Sequence, residues 1–187
     1  HLNQVSEAEG VTLGIVAPDG RDGMMAHAKS FAAAGIPFIF DPGQGLPMFN
    51  GEELLEFIRL ADYACFNDYE ARLACDRTGQ TLEQLATQLR ALIVTRGGEG
   101  SEIYADGQRI HIPCVKASQV VDPTGCGDAY RAGLLYGISH GYNWAATGQL
   151  ASVMGALKIA ERGGQNHRPS REDIAACYTA AFGSAPW

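Results

Sequence analysis

Basic residues are scarce in this chain of 187 residues: 14 Lys and Arg stand against 21 Asp and Glu, a net charge of −7. That shortage argues against nucleic acid as a partner, because phosphate binding needs clustered Lys and Arg. The five cysteines, Cys65, Cys75, Cys114, Cys126 and Cys177, form no Cys-x-x-Cys pair and are odd in number. Free thiols in a reducing cytoplasm fit better than a disulfide frame or a zinc site. No apolar run reaches the roughly 18 residues of a spanning helix, and no signal-peptide pattern opens the chain, so a cytoplasmic location is expected with no membrane partner. Internal repeats, low-complexity tracts and linkers are also missing, and residues 1–187 read as one domain. Three catalytic signatures are absent: the phosphate loop Gly-x-x-x-x-Gly-Lys-Ser/Thr, the His-Glu-x-x-His zinc helix and the dinucleotide fingerprint, whose third glycine is replaced by Tyr130.

What is present is an alternation of short apolar runs and amphipathic segments. Strands are expected at Val11–Ala17, Ile36–Phe40, Tyr63–Phe66 and Leu92–Val94. Between them lie a helix capped by Asp22 and ended by Gly35, one opened by Asn50 with Glu53, one opened by Asn67 with Glu70 and ended near Gly79, and one capped by Thr81 and running through Leu89. Asp106-Gly107 between two β-type runs predicts a hairpin. Later helices are capped by Asn143 and by Ser170 with Asp173. This pattern predicts an α/β fold with a mostly parallel sheet covered by helices on both faces. In such sheets ligands gather beyond the carboxyl ends of the strands, where Asp41, Asn67, Glu70, Thr95 and Asp122 are expected.

The central stretch is Val120-Val121-Asp122-Pro123-Thr124-Gly125-Cys126-Gly127-Asp128. Two β-branched residues are expected to end a strand, the glycines to turn, and an apolar segment with Leu134, Leu135 and Ile138 to continue as a helix. The first amides of a helix lack intrahelical acceptors, and glycine lets an anion approach them closely. Asp128 then places a carboxylate beside a set of amide donors. Such a pairing suits a reaction that builds charge on oxygen while a hydroxyl loses its proton. A turn with a first-turn acid favoured by the helix dipole would use the same residues.

Asp122-Pro123-Thr124-Gly125-Cys126-Gly127-Asp128 resembles the second signature of the ribokinase-like (PfkB) family of carbohydrate and nucleoside kinases, usually Asp-Thr-x-Gly-Ala-Gly-Asp. The resemblance implies a three-layer α/β/α kinase domain, of which this chain would be the C-terminal portion, the N-terminal part and its small β lid lying outside it. The start at His1 without an initiator Met agrees with that expectation. It also implies that Gly125, Cys126 and Gly127 form an anion hole, with Asp128 as the base activating a primary hydroxyl. Asn67-Asp68-Tyr69-Glu70 matches the family's Asn-x-x-Glu, implying that Asn67 and Glu70 help place Mg²⁺ through water. Thr95-Arg96-Gly97-Gly98-Glu99-Gly100 fits its Thr-x-Gly-x-x-Gly, implying that Thr95, Gly97 and Gly100 lie against the phosphates of ATP. The Gly163–His167 loop resembles a segment that encloses a monovalent cation, implying K⁺ near Asp122, Thr124, Gly163 and His167.

The particular form of these motifs looks most like bacterial adenosine or nucleoside kinases, with a sugar kinase as the alternative substrate class and a homodimer compatible with the family. Each motif alone has a plainer reading: Asn67 with Glu70 is also a capping box, and Gly163 also a helix end. Two other functions use the same stretch. Cys126 at a helix N-terminus could be a nucleophile with a lowered pKa, served by His27, His111, His140 or His167. A nucleotide-binding sensor without turnover would keep the phosphate loops alone.

Overall fold

The computed structural model describes residues 5, 9–185 and 187, so the start at His1 lies outside the described part. The chain divides into two compact units, His1–Arg96 with Glu102–Arg109, and Gly97–Ser101 with Ile110–Trp187.

The first unit is built on a sheet of order β1-β2-β3-β4-β5-β6, with β1 Gly14–Val16, β2 Phe38–Phe40, β3 Tyr63–Asn67, β4 Ala91–Thr95, β5 Ser101–Ala105 and β6 Gln108–Ile112. The ends of the last two strands, Ser101 and residues 110–112, are counted with the second unit. Strands β1 to β4 pair in parallel, in a register that sets Phe40 opposite Ala64 and Asn67 opposite Thr95. The five residues between β4 and β5 are too few for a parallel crossover, so that pair is antiparallel. Asp106 (φ 52°) and Gly107 (φ 71°) close the β5–β6 hairpin with the two positive φ angles of a primed turn. The sheet is therefore mixed, its parallel part first.

Helices α1 (Arg21–Ala33), α2 (Gly51–Leu60), α3 (Asp68–Thr78) and α4 (Leu82–Ala86) connect the parallel strands. A strand order that advances one place at a time with right-handed crossovers puts all four on one face. The core bears this out: Phe38, Phe40, Ala64, Phe66, Leu92 and Val94 pack against Met24 and Ala28 of α1, Leu54, Phe57 and Ile58 of α2, Ala71 and Ala74 of α3, and Leu85 of α4. The alternate strand residues Ile39, Cys65, Ile93 and Ile103 are also fully buried. A strand buried on both sides reads as a continuous apolar run, as β2 and β4 do.

Capping boxes occur at Asn50/Glu53, Asn67/Glu70, Thr81/Gln84 and Ser170/Asp173. Two helix limits differ from the expected ones. Helix α1 is preceded by Gly20, with Asp22 inside its first turn, where it favours the dipole without capping. Helix α4 stops at Ala86, and the chain to Leu89 continues only as turns closed by Gln88 N–H on Leu85 and Leu89 N–H on Ala86.

The second unit contains α5 (Cys126–Ser139), α6 (Trp144–Ile159) and α7 (Arg171–Phe182). Its core joins Val115, Leu150, Val153 and Tyr178. The strand expected to end at Val120-Val121 is corrected: residues 113–125 carry no strand. Val120 and Val121 are exposed, and the amides of Val121 and Asp122 both donate to the carbonyl of Ile159 at the end of α6. A helix-end carbonyl with no intrahelical donor has captured the backbone that a sheet edge would have used. Farther upstream, Ser152 of α6 accepts from the Val115 amide and donates to the Pro113 carbonyl, holding the extended segment along the helix.

Candidate active site

In the first unit, parallel pairing puts the carboxyl ends of β2, β3 and β4 on one edge, and Asp41, Asn67, Glu70 and Thr95 are found there, whereas Asp122, expected with them, follows no strand. Asp41 follows β2 and is buried, Asn67 ends β3 and Thr95 ends β4 directly opposite it. Glu70 is buried as well, at 5% exposure. Asn67 accepts from the Glu70 amide through Oδ1, donates from Nδ2 to Glu70 Oε1 at 2.8 Å, and donates from its own amide to Oε2 at 2.8 Å. Both Glu70 oxygens are thus already held by Asn67. The pair is a capping box and a fixed carboxylate at once, and it fits contact with Mg²⁺ through water better than direct ligation. No group of three or more His, Cys, Asp or Glu among the described residues is arranged to hold a metal. Thr95 Oγ1 donates to the Phe66 carbonyl at 3.4 Å. Arg96 pairs with Glu102 at 2.8 Å, and Glu102 also takes Arg109 and the Tyr104 hydroxyl, so Arg96 is a member of a strand-end ion network.

In the second unit, Gly97 (φ 54°) opens a single turn of 3-10 helix over Gly97–Glu99, and the Gly100 amide closes it on the Gly97 carbonyl at 3.1 Å. The turn is exposed.

The Asp122 carboxylate accepts from the Thr124 amide at 2.9 Å through Oδ1 and from the Gly163 amide at 2.7 Å through Oδ2. Those two backbone donors hold its pKa down at about 2, with a smaller contribution from Lys158. Gly125 is in the left-handed region (φ 80°, ψ 3°) and serves as the N-cap of α5. A side chain there would be strained by that φ, and its Cβ would lie 3.0 Å from the Gly164 carbonyl, so glycine is required twice over. The Cys126 amide donates to the Pro123 carbonyl at 3.1 Å, whereas the amides of Gly127 and Asp128 have no acceptor among the described residues. Two of the free amides at this helix end are therefore those of Gly127 and Asp128. The Asp128 side chain is exposed beside them, in the first turn of α5.

Two neighbours complete the stretch. Arg131 sits over Gly127, its Nη1 2.7 Å from where a Cβ would be. Tyr130 and Ser101 share a hydrogen bond of 2.6 Å. In the loop after α6, His167 has a buried Nδ1 without a hydrogen-bond partner among the described residues. Cys126 Sγ donates to the Asp122 carbonyl at 3.9 Å, and burial pushes its thiol up, partly countered by Lys158. A nucleophilic cysteine needs the opposite shift.

One residue was missed by sequence reasoning. Lys158 is fully buried, and its ammonium donates to the carbonyls of Asp122 at 3.2 Å and Glu161 at 3.0 Å. The signal was present: Lys158 is the only charged residue in α6, set between Leu157 and Ile159.

A mixed α/β sheet with polar strand ends, together with a helix opened by an αL glycine and unpaired amides, defines a ribokinase-like fold. Residues 3–171 match the family model described as pfkB family carbohydrate kinase, and the chain belongs to that family. It is 36% identical over 135 residues to the nucleoside kinase of Methanocaldococcus jannaschii, which covers 72% of this chain and 45% of that protein. Among solved structures, Burkholderia thailandensis nucleoside kinase in complex with inosine superposes with a TM-score of 0.96 at 53% identity, covering 98% of this chain and 61% of that one. The M. jannaschii enzyme, an archaeal member of the ribokinase family, superposes at 0.86 with 31% identity, covering 90% of this chain and 56% of its own. The ribokinase of Thermotoga maritima, at 24% identity and TM-score 0.70, shares the fold. The chain spans about half the length of the curated relatives it matches.

Proposed function

We propose that this chain is the phosphoryl-transfer portion of an ATP-dependent kinase that phosphorylates a primary hydroxyl of a nucleoside, with adenosine-like acceptors first and a sugar second. The observation that carries the reading is the start of α5, where two amides without acceptors adjoin an exposed carboxylate. ATP would supply the phosphoryl group, and Mg²⁺ would neutralise its charge. Gly127 and Asp128 N–H would receive the anionic oxygens, each such donor contributing roughly 10²–10³ in rate in comparable holes. The Gly125 amide belongs to the same hole, and the Cys126 amide would join it only by leaving Pro123. Asp128 would accept the proton of the acceptor hydroxyl, and Asn67 with Glu70 would order water around the metal. Because the transition state of phosphoryl transfer is loose, alignment of these groups counts for more than proton removal. Thr95, Gly97 and Gly100 would flank the phosphates, and we propose that both compact units belong to one kinase domain acting in the cytoplasm.

Nucleoside preference draws its support from the relatives called nucleoside kinases, one of them bound to inosine. The test is an assay of the complete protein with ATP and Mg²⁺ against adenosine, inosine and ribose, repeated with Asp128→Asn. Turnover with a nucleoside is expected to exceed that with ribose, and D128N is expected to lose about 10²–10⁴-fold in kcat with ADP binding kept. Near-normal turnover of D128N removes Asp128 as the base, and nucleotide binding without transfer to any acceptor favours a sensor.

A further inference from the structure

The resemblance implied a monovalent cation between the Asp122 turn and the Gly163 loop, and the residues present do not fit one. Two carbonyls that bridge these segments, those of Asp122 and Glu161, are already taken by the Lys158 ammonium, and both oxygens of the Asp122 carboxylate already accept from the Thr124 and Gly163 amides. The lysine arrives from inside α6 and is fully buried, and among the described residues it makes no ion pair with a carboxylate. A buried charge held only by peptide carbonyls is costly unless its position serves something. Here it fastens the residue that opens the anion-binding turn to the loop whose Gly163 amide grips the same residue's carboxylate. Asp122 is thereby held from both sides, its carbonyl by an ammonium and its carboxylate by two amides. The hold passes along the chain, since Asp122 is fixed three residues before Gly125 and five before Gly127.

An ammonium group and K⁺ are similar in size and charge, and both replace water with carbonyl oxygens. We propose that Lys158 is a built-in monovalent cation: a positioning residue that orders the Asp122–Asp128 turn and frees this protein from dependence on an alkali-metal ion. The lysine touches no reacting group in this arrangement and acts through the turn. The catalytic readout rests on the kinase reading above; the stability readout below does not.

The complete protein, K158A and K158M are assayed in tetramethylammonium chloride, a cation too large for the site, and then with K⁺ or NH₄⁺ at constant ionic strength. Wild-type turnover is expected to change by less than about twofold among these salts, while K158A falls about 10–100-fold in kcat, the usual loss when a supporting contact is removed. K158A leaves a space lined by two unpaired carbonyls, and K⁺ or NH₄⁺ is expected to restore at least about tenfold of the loss. K158M fills the stem's volume without a charge and is expected to stay impaired in every salt. A scaffold role alone would give two impaired variants that ignore the salt. Thermal unfolding is read in the same series: K⁺ or NH₄⁺ should raise the Tm of K158A over its value in tetramethylammonium and leave wild type unmoved. The proposal is overturned if wild type requires K⁺ for turnover, or if folded K158A responds to neither ion in rate or Tm. Absence of phosphoryl transfer in every protein and salt, with the Tm response of K158A present, overturns the kinase reading and leaves Lys158 as the built-in cation.

Discussion

Asp122 shows how one residue can be legible by type and obscure by mechanism. Its place in the motif is plain in the sequence, and so is Gly125, because a helix start in a tight turn needs a residue that tolerates positive φ. The partners are not: the Gly163 amide and the Lys158 ammonium come from 36 to 41 residues farther along the chain, and no local spacing announces them. The carboxylate's folded pKa of about 2 lies below the ordinary 3.8. A depressed carboxylate contributes stability that is complete above its unfolded pKa and is lost as pH falls through the folded one. Asp122→Asn keeps one carbonyl oxygen and turns the other into an NH₂ group, leaving the Thr124 or the Gly163 amide facing a donor. The variant is expected to melt below wild type at neutral pH, and the gap should close between about pH 4 and about pH 2, as the wild-type carboxyl takes up its proton. Thermal unfolding across that range checks it; a gap unchanged at the acid end would mean that the two amides are not what holds the pKa down. Lys158 was missed for a related reason: a lysine is read as a solvated side chain, and only its apolar neighbours in α6 hinted otherwise.

At the scale of elements, α5 and α6 form a helix pair whose separation is set by glycine. A Cβ at Gly133 would lie 2.5 Å from the Ala151 Cα and 2.8 Å from its amide nitrogen, and one at Gly137 would lie 2.7 Å from Thr147 Oγ1. Backbone cannot swing aside as a side-chain tip can, so the helices would have to part. Replacing Gly133 by Ala improves helix propensity by about 1 kcal/mol, but overpacking costs about 1–3 kcal/mol, and the second effect should win. Gly155 of α6 is the contrast, since its Cβ would meet nothing nearer than the Cys126 carbonyl at 3.8 Å. Chemical denaturation should therefore find G133A less stable than wild type and G155A more stable by about 0.5–1 kcal/mol. Equal effects of the two would show that helix propensity, and not the approach of α6, governs this pair. Small residues are frequent in α6, yet nothing in the local sequence says which glycine of α5 they meet. The helix caps were far easier to read, because a capping box is satisfied within four residues and needs nothing from the rest of the chain.

At the scale of the whole molecule, legibility follows the distance over which an interaction is made. The parallel strands and the hairpin were readable because burial on two faces, or a two-residue Asp-Gly turn, leaves its mark within a few residues. The strand expected at Val120-Val121 failed because β propensity is only a fit to a pleated, half-buried surface, and a helix-end carbonyl offered that backbone another partner. The family resemblance located the Asp122–Asp128 turn without saying which of its amides are open, a matter that Pro123 settles for Cys126. The same dependence on context predicts how stability is spread over the sheet. Strands β3 and β4 lie in its middle, exchange a five-residue register, and have four of five residues buried in each. The first strand has three residues at one edge, and β6 at the other is largely exposed. Local opening needs the least where few apolar contacts must be broken, so native-state hydrogen exchange should be slowest in β3 and β4 and faster at β1 and β6. Protection at Gly14–Val16 equal to that at Tyr63–Asn67 would mean that the first strand is paired or covered along its outer edge in solution, and that the sheet of the working protein continues past it.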